Sequence, residues 1–275
     1  MKAAVLLQGE PRFCAEFDLF LQNLTGYDQV DWFMYLWENN NPTANLMSSH
    51  GHRVVAPYWQ TISKESALDK FKQFLPAGHN VVSLELADQS LVPIIRVESN
   101  KCETVIFENV WKMWYSQYMA NKLKVAHEKE NNFKYDLVVK IRPDVALLNQ
   151  VDLRHMKQYF DKDPNLVLMS HNKRCGYGVA ISDINAITTS DNMNIYMEIY
   201  NQALEHHARG CIFHPETMLA RHLEHNGLFY ASADYGVDFR SLGFWTDITT
   251  GEMWESRNVP NWTNKYYTSN FGRWG

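Results

Sequence analysis

Long hydrophobic runs are missing from this chain. None of its 275 residues lies in a stretch approaching the roughly 18 apolar residues that a membrane-spanning helix needs. The N-terminal apolar run, Ala3 to Leu7, is too short for the core of a signal peptide. The expectation is a soluble, cytoplasmic protein, and the Asn261-Trp262-Thr263 sequon is read as accidental. Cysteine is scarce: four residues, at 14, 102, 175 and 211, none paired at metal-ligand or redox spacing. A chain of this length needs no disulfide scaffold, so they read as reduced, mostly buried thiols. Positive charge is not in excess, with 26 Lys and Arg against 31 Asp and Glu, a net of -5. That balance leaves no electrostatic footprint for a nucleic-acid backbone, whereas a small anionic ligand needs only a local basic pocket. Also absent are a Gly-rich dinucleotide fingerprint, a P-loop, a Gly-x-Ser-x-Gly nucleophile elbow and the paired histidines of a zinc protease.

What is present is material for a core. Hydrophobic residues make up 45% of the chain, including 14 Phe, 14 Tyr and 9 Trp, enough to exclude a disordered chain. Ala3 to Leu7, ended by Gln8-Gly9, reads as a buried strand meeting a turn. Pro11 suits the first turn of a helix whose apolar positions are Phe13, Phe17, Phe20, Leu21 and Leu24, stopped at Gly26. Val30 to Trp37 reads as a second strand, so the chain opens with a right-handed parallel crossover. Helices are expected over Ile62 to Leu75, Glu103 to Asn131, Asp191 to His206 (with Ser190 as N-cap) and Pro215 to Asn226. Strands are expected near Val81 to Leu86, over Tyr135 to Arg142, at Leu166 to Met169 and within Val179 to Thr188. The histidine pairs His206-His207 and His222/His225 fall at polar helix positions and read as surface. The pattern is one α/β domain, residues 1–257, with a mainly parallel Rossmann-type sheet flanked by helices. An aromatic-rich tail, residues 258–275, packs on it. Its Tyr266, Tyr267, Phe271 and Trp274 are read as packing residues before any acceptor-lining role.

Open parallel sheets bind ligands at the carboxyl ends of their strands, which directs attention to three places. Gln8, Gly9 and Arg12 follow the first strand, where Gly9 lets a ligand approach the backbone and Arg12 can meet a phosphate. An ordinary turn with a surface arginine accounts for them equally simply. Arg142-Pro143-Asp144 follows the strand from Tyr135. An Asp there can bind a hard cation, or can be a turn residue paired with arginine. His214-Pro215-Glu216-Thr217 opens a helix. Glu216 suits the helix dipole, and also suits a general base facing a cleft; His214 can cap the helix or bind a metal.

Taken in order, these segments resemble a poorly characterised GT-A-type glycosyltransferase family of bacteria, viruses and phages. Leu7-Gln8-Gly9-Glu10-Pro11-Arg12 matches its opening Gly-x-x-Arg turn, and Asp31-Trp32-Phe33-Met34-Tyr35-Leu36-Trp37 matches Asp-x-Phe-x-His-x-Trp, with Tyr35 in place of His. Met113-Trp114-Tyr115-Ser116 and Ala120-Asn121-Lys122-Leu123 match its helix. Tyr135 to Asp144 fits Tyr-Asp-x-Val-x-Arg-x-Arg-Pro-Asp, with Lys140 for the first Arg. Asp183-Ile184-Asn185-Ala186-Ile187, Met193 to Tyr200 and His214-Pro215-Glu216 complete the match, which spans roughly residues 3–226.

The resemblance implies a GT-A-like domain moving a sugar from a nucleotide-diphosphate sugar, UDP-type favoured, to a carbohydrate or other hydroxyl acceptor. It implies Mn or Mg as cofactor, with Asp144 and His214 as metal candidates, although the usual Asp-x-Asp pair is here Asp144 alone. Gln8, Gly9, Arg12, Arg142 and Asp144 become donor-binding candidates. Gln117 and Asn121, four apart on one helix face, become candidates beside the nucleoside, where two solvated helix polars are the plain alternative. Glu216 or Asp183 becomes the catalytic carboxylate. A catalytically decayed nucleotide-sugar-binding protein and a phage-type DNA-base glycosyltransferase are the alternative readings.

Overall fold

The computed structural model describes residues 1–9, 21–38, 53–54, 68–69, 72, 75–98, 100–101, 106–143, 145–147, 149–170, 172–175, 178–232, 237–238, 244–246 and 253–255. Its centre is a seven-stranded sheet built from β1 (Lys2–Gly9), β2 (Gln29–Trp37), β3 (His79–Ala87), β4 (Leu137–Ile141), β5 (Leu166–Met169), β6 (Ala186–Thr188) and β7 (Phe229–Ser232). The spatial order is β7-β5-β6-β4-β1-β2-β3. All neighbours pair in parallel except β6, which runs antiparallel to both β4 and β5. The chain lays β2 and β3 outward on one side of β1, then crosses over to place β4 on the other side. The strand order therefore reverses at β1 and β4, as in the doubly wound folds.

Five described helices follow the strands: α1 (Phe107–Asn131), α2 (Leu153–Lys162), α3 (Ser190–Met197), α4 (Ile199–Ala208) and α5 (Pro215–His225). Strand alternation sends side chains to opposite faces of the sheet. Ala3, Val5 and Leu7 of β1 join Trp32 and Met34 of β2, Val139 of β4, and Leu153 and Phe160 of α2 in one core. Ala4, Leu6, Phe33 and Val138 face the other way, against Trp111 and Trp114 of α1 and Tyr196, Met218 and Leu223 of α3 and α5. Both faces are covered, which is why β1 reads as an uninterrupted apolar run. Each fully buried large side chain contributes about 1.5–3 kcal/mol relative to exposure.

Several expected elements differ in detail. The helix expected from Asp191 to His206 is two helices, interrupted at Glu198. Thr189, not Ser190, caps α3 by accepting from the Asn192 amide, because the Ser190 hydroxyl is drawn inward to Glu128 Oε1 at 2.6 Å. The long helix starts at Phe107, and its buried stripe continues through Gln117, Asn121, Lys124 and Glu128. Lys124 and Glu128 are tolerated because they pair with each other and with α3. Lys124 Nζ meets Glu128 Oε2 at 3.2 Å and Asn194 Oδ1 at 3.0 Å, and the Glu128 carboxylate also accepts from the Tyr135 amide at 2.9 Å. Residues 21–23, 68–69 and 72 are helical where helices were expected. The tail 258–275, with Tyr266, Tyr267, Phe271 and Trp274, lies outside the described residues. No described helix is long and apolar enough to cross a membrane.

Candidate functional site

Chain direction decides which residues can meet. The six parallel strands end at one edge of the sheet, and β6, running the other way, begins there. β7 starts at the opposite edge, so the helix before it, α5, has its N-terminus at the site edge. Gly9, Arg142, Ser170, Asp183, His214 and Glu216 thus gather along the carboxyl edge, around the reversal between β1 and β4.

Gln8 and Gly9 close β1. The Gln8 side chain is buried, and with its amide nitrogen turned toward the backbone acceptors it donates to Leu6 O at 3.0 Å and Ile141 O at 2.8 Å. Its amide nitrogen stitches β1 to β4 rather than reaching for a donor phosphate. Gly9 has φ +100°, and a Cβ built there would meet no atom within 4 Å. Glycine is required by the backbone conformation, not by a crowded neighbour. Arg142 follows β4 directly and is half-buried, ahead of a buried Pro143. Arg12 and Asp144 lie outside the described residues.

Asp183 sits on the turn that leads into β6, and it is almost fully buried. The turn is held from both flanking strands. From β5, the Ser170 amide donates to Asn185 Oδ1 at 3.0 Å and the Ser170 hydroxyl lies 3.2 Å from Ser182 Oγ. From β4, Lys140 Nζ donates to the backbone carbonyl of Asp183. Lys140 is fully buried in the middle of the sheet, in register with Leu6 and Ala186, and its ammonium lies 5.8 Å from the centre of the Tyr196 ring. Buried ammonium groups persist only with such partners. In the sequence Lys140 stands out only as a departure from a motif. Its place inside an apolar strand was the available signal.

His214 is the N-cap of α5. Its Nδ1 accepts from the Thr217 amide at 3.3 Å and lies 2.9 Å from the Thr217 hydroxyl. An accepting Nδ1 assigns the proton of the neutral ring to Nε2. That nitrogen is 3.9 Å from Glu216 Oε2, close for electrostatics but long for a hydrogen bond. Burial pushes the His214 pKa down, and the negative charge of Asp183 pulls it partly back. Asp183 and Glu216 thus each act on His214, the first because α5 packs against the strand Gly178–Ile181 that runs into Asp183.

The fit to a divalent cation is poor on the described residues. His214 uses one ring nitrogen for the cap and carries its proton on the other, so the metal-ligand expectation for His214 gives way to a capping role. No group of three or more His, Cys, Asp or Glu side chains is gathered for a metal among the described residues. The solvated alternative for Gln117 and Asn121 is corrected too, and Gln117 Nε2 and Asn121 Oδ1 have no hydrogen-bond partner among the described residues. Both are buried between α1 and its neighbours, and Asn121 Nδ2 is committed to Asn194 Oδ1 at 3.0 Å. Their i, i+4 spacing placed them on one face, and that face turns inward.

The histidines expected at the surface are also partly interior. His206 and His222 are buried at the seam between α4 and α5, with His206 Nε2 3.0 Å from His222 Nδ1. Of the four cysteines, the side chain of Cys211 is described, half-buried and free, with its thiol pKa pushed up by burial.

The chain matches no protein-family model and no curated protein. What it shows by itself is an α/β fold with a mainly parallel mixed sheet whose strand order reverses at β1 and β4.

Proposed function

We propose that the chain is a nucleotide-sugar-dependent glycosyltransferase of GT-A type, working in the crevice where β1 and β4 diverge. The observation that carries this reading is the convergence on one sheet edge of a guanidinium, Arg142, with the carboxylates Asp183 and Glu216, at a strand-order reversal where doubly wound sheets bind nucleotides. The order in which the sequence motifs appear supports it.

In this reading Arg142, joined by Arg12, offsets the charge of the diphosphate as the bond between sugar and phosphate breaks. The nucleoside diphosphate leaves with the bonding electrons. The acceptor oxygen bonds to the sugar carbon, and its proton passes to Glu216 or Asp183. UDP-type donors are favoured by the resemblance. Bound Mn or Mg would supply further charge neutralisation through Asp144; no step is assigned to it, since the described residues do not form its donor set.

The deciding experiment is a thermal-shift panel of nucleoside diphosphate sugars, with and without Mn, followed by assay of released nucleoside diphosphate in the presence of sugar acceptors. A shifted Tm with acceptor-dependent release supports the enzyme. A shift without release supports a binding protein with decayed chemistry, and release only with DNA supports base glycosylation. No shift with any nucleotide sugar would end the proposal.

A further inference from the structure

The carboxyl edge of the sheet depends on a cation that does not reach it. Lys140 lies inside the β4 strand, between Leu6 and Ala186, with no exposed surface. A charged side chain in that position invites a structural explanation. Burying an ammonium is costly, and an apolar residue of similar volume is commonly neutral or stabilising there. The other interior strand positions of β1 and β4 are filled that way, by Val5, Leu6, Val138 and Val139. Among the described residues, what Lys140 contributes that leucine or methionine cannot is a bond to the Asp183 carbonyl. Its partner across the ammonium is the face of Tyr196, a ring carried by α3 and fully buried.

We infer that Lys140 is a positioning residue: its buried ammonium anchors the 182–185 turn and so fixes where the Asp183 carboxylate stands at the carboxyl edge of the sheet. The turn has two anchors, and they are unequal. Ser170 and Asn185 fix its ends by neutral hydrogen bonds, at 3.0 Å for the Ser170 amide. Lys140 supplies the charge-assisted bond at Asp183 itself, and such bonds are roughly twice as strong as neutral ones. α5, packed on the strand that runs into the turn, carries His214 at its N-terminus within the influence of the Asp183 charge. The bond joins residues 43 apart in sequence, so the crevice corner inherits its geometry from the middle of the sheet. The catalytic consequence rests on the glycosyltransferase reading; the positioning itself does not.

The sign of one titration separates positioning from simple charge. Among the described residues, the charged groups near His214 are Asp183 on the turn, whose charge acts on it, and Glu216 on its own helix, 3.9 Å away. Asp183 raises the His214 pKa. If Lys140 holds Asp183 in place, Lys140→Met lets the carboxylate drift and the His214 pKa falls. If Lys140 is only a nearby positive charge, its removal makes His214 easier to protonate and the pKa rises.

The test is an NMR titration of the His214 ring in the full chain, assigned with His214→Gln. Asp183→Asn is expected to lower the His214 pKa. Lys140→Met is expected to move it in the same direction by at least half as much, and Lys140→Arg to restore it. An unchanged or raised pKa in a folded Lys140→Met protein overturns the inference. Should Lys140→Met not fold, Lys140→Leu, which likewise removes both the donor and the charge, is read by the same sign.

A second arm measures sugar transfer. Lys140→Met should lower kcat about 10- to 100-fold with little change in donor KM, as expected for lost orientation of a reacting group. A wild-type protein with no transfer activity counts against the glycosyltransferase reading alone, and the titration still decides the role of Lys140.

Discussion

The Tyr135 hydroxyl donates to Asp31 Oδ2 at 2.7 Å, across 104 residues of sequence. Asp31 is buried on β2 and also accepts from Gln29 Nε2 at 2.8 Å and Asn80 Nδ2 at 3.2 Å. Two of the motifs behind the family resemblance, the one opening at Asp31 and the one opening at Tyr135, thus meet inside the protein, away from the crevice. They are fold residues. Tyr135→Phe should cost about 1.5–3 kcal/mol, the range for a hydrogen bond to a charged group, because it removes one of the donors to a buried carboxylate. Urea unfolding reads the loss, and ligand affinity should stay at the wild-type value.

A second buried pair makes stability depend on pH. His222 Nε2 contacts the Ile195 carbonyl at 2.7 Å, which leaves Nδ1 to accept from His206. Burial lowers the His222 pKa to about 4, the Ile195 carbonyl works against that shift, and His206 and His225 reinforce it. His206 is lowered as well, by burial and by His225, with Glu205 opposing and Arg209 assisting. The unfolded chain takes up a proton at His222 from about pH 6.5 downward while the folded chain does not. Stability is therefore full above that pH and is lost as the pH falls toward 4. Between pH 7 and pH 5 the His222 share is about 2 kcal/mol. Urea midpoints for the wild type and His222→Gln at the two pH values should show a smaller pH dependence in the variant. Equal pH dependence would place the effect elsewhere, with His79, also lowered to about 4 by burial, as the next candidate.

Tyr196 offers the opposite test. Its hydroxyl is buried and has no hydrogen-bond partner among the described residues, while its ring faces the Lys140 ammonium. An unpartnered buried hydroxyl contributes nothing to offset its desolvation, so Tyr196→Phe should be neutral or stabilising by up to about 1 kcal/mol. Tyr196→Leu, which removes the ring as well, should destabilise by about 1–3 kcal/mol and can be followed by the same Tm measurement.

The two crevice carboxylates are separable by conservative substitution. Glu216 stands at the N-terminus of α5, where the helix dipole favours its ionised form, and is about one-third exposed at 32%. Asp183 is nearly buried beside His214. Under the proposed reaction, loss of the true base lowers kcat about 100- to 10,000-fold. Glu216→Gln and Asp183→Asn are expected to differ, with the large loss confined to one of them and donor affinity retained in both. Two variants within a few-fold of wild type would remove the general-base step.

Local pattern determined much of this protein. The apolar run of β1, the strand ending at Trp37, the strand at Leu166 to Met169 and the helix opening at Pro215 follow from periodicities and caps that span only a few residues. A strand buried on both faces must be apolar throughout, and a proline at a helix start needs no hydrogen-bond partner. The carboxyl edge was legible as well, since parallel strands joined by helices end on one side. Tertiary structure alone decided that β6 inserts antiparallel between β4 and β5, because a three-residue strand carries no signal of its neighbours. It alone turned Gln117 and Asn121 inward, buried His206 against His222, and set Lys140 under Asp183. Polar side chains look alike in sequence whether they face water or a buried partner. What separates the two cases is a donor or acceptor supplied by a distant element, and only the folded chain brings that element into contact.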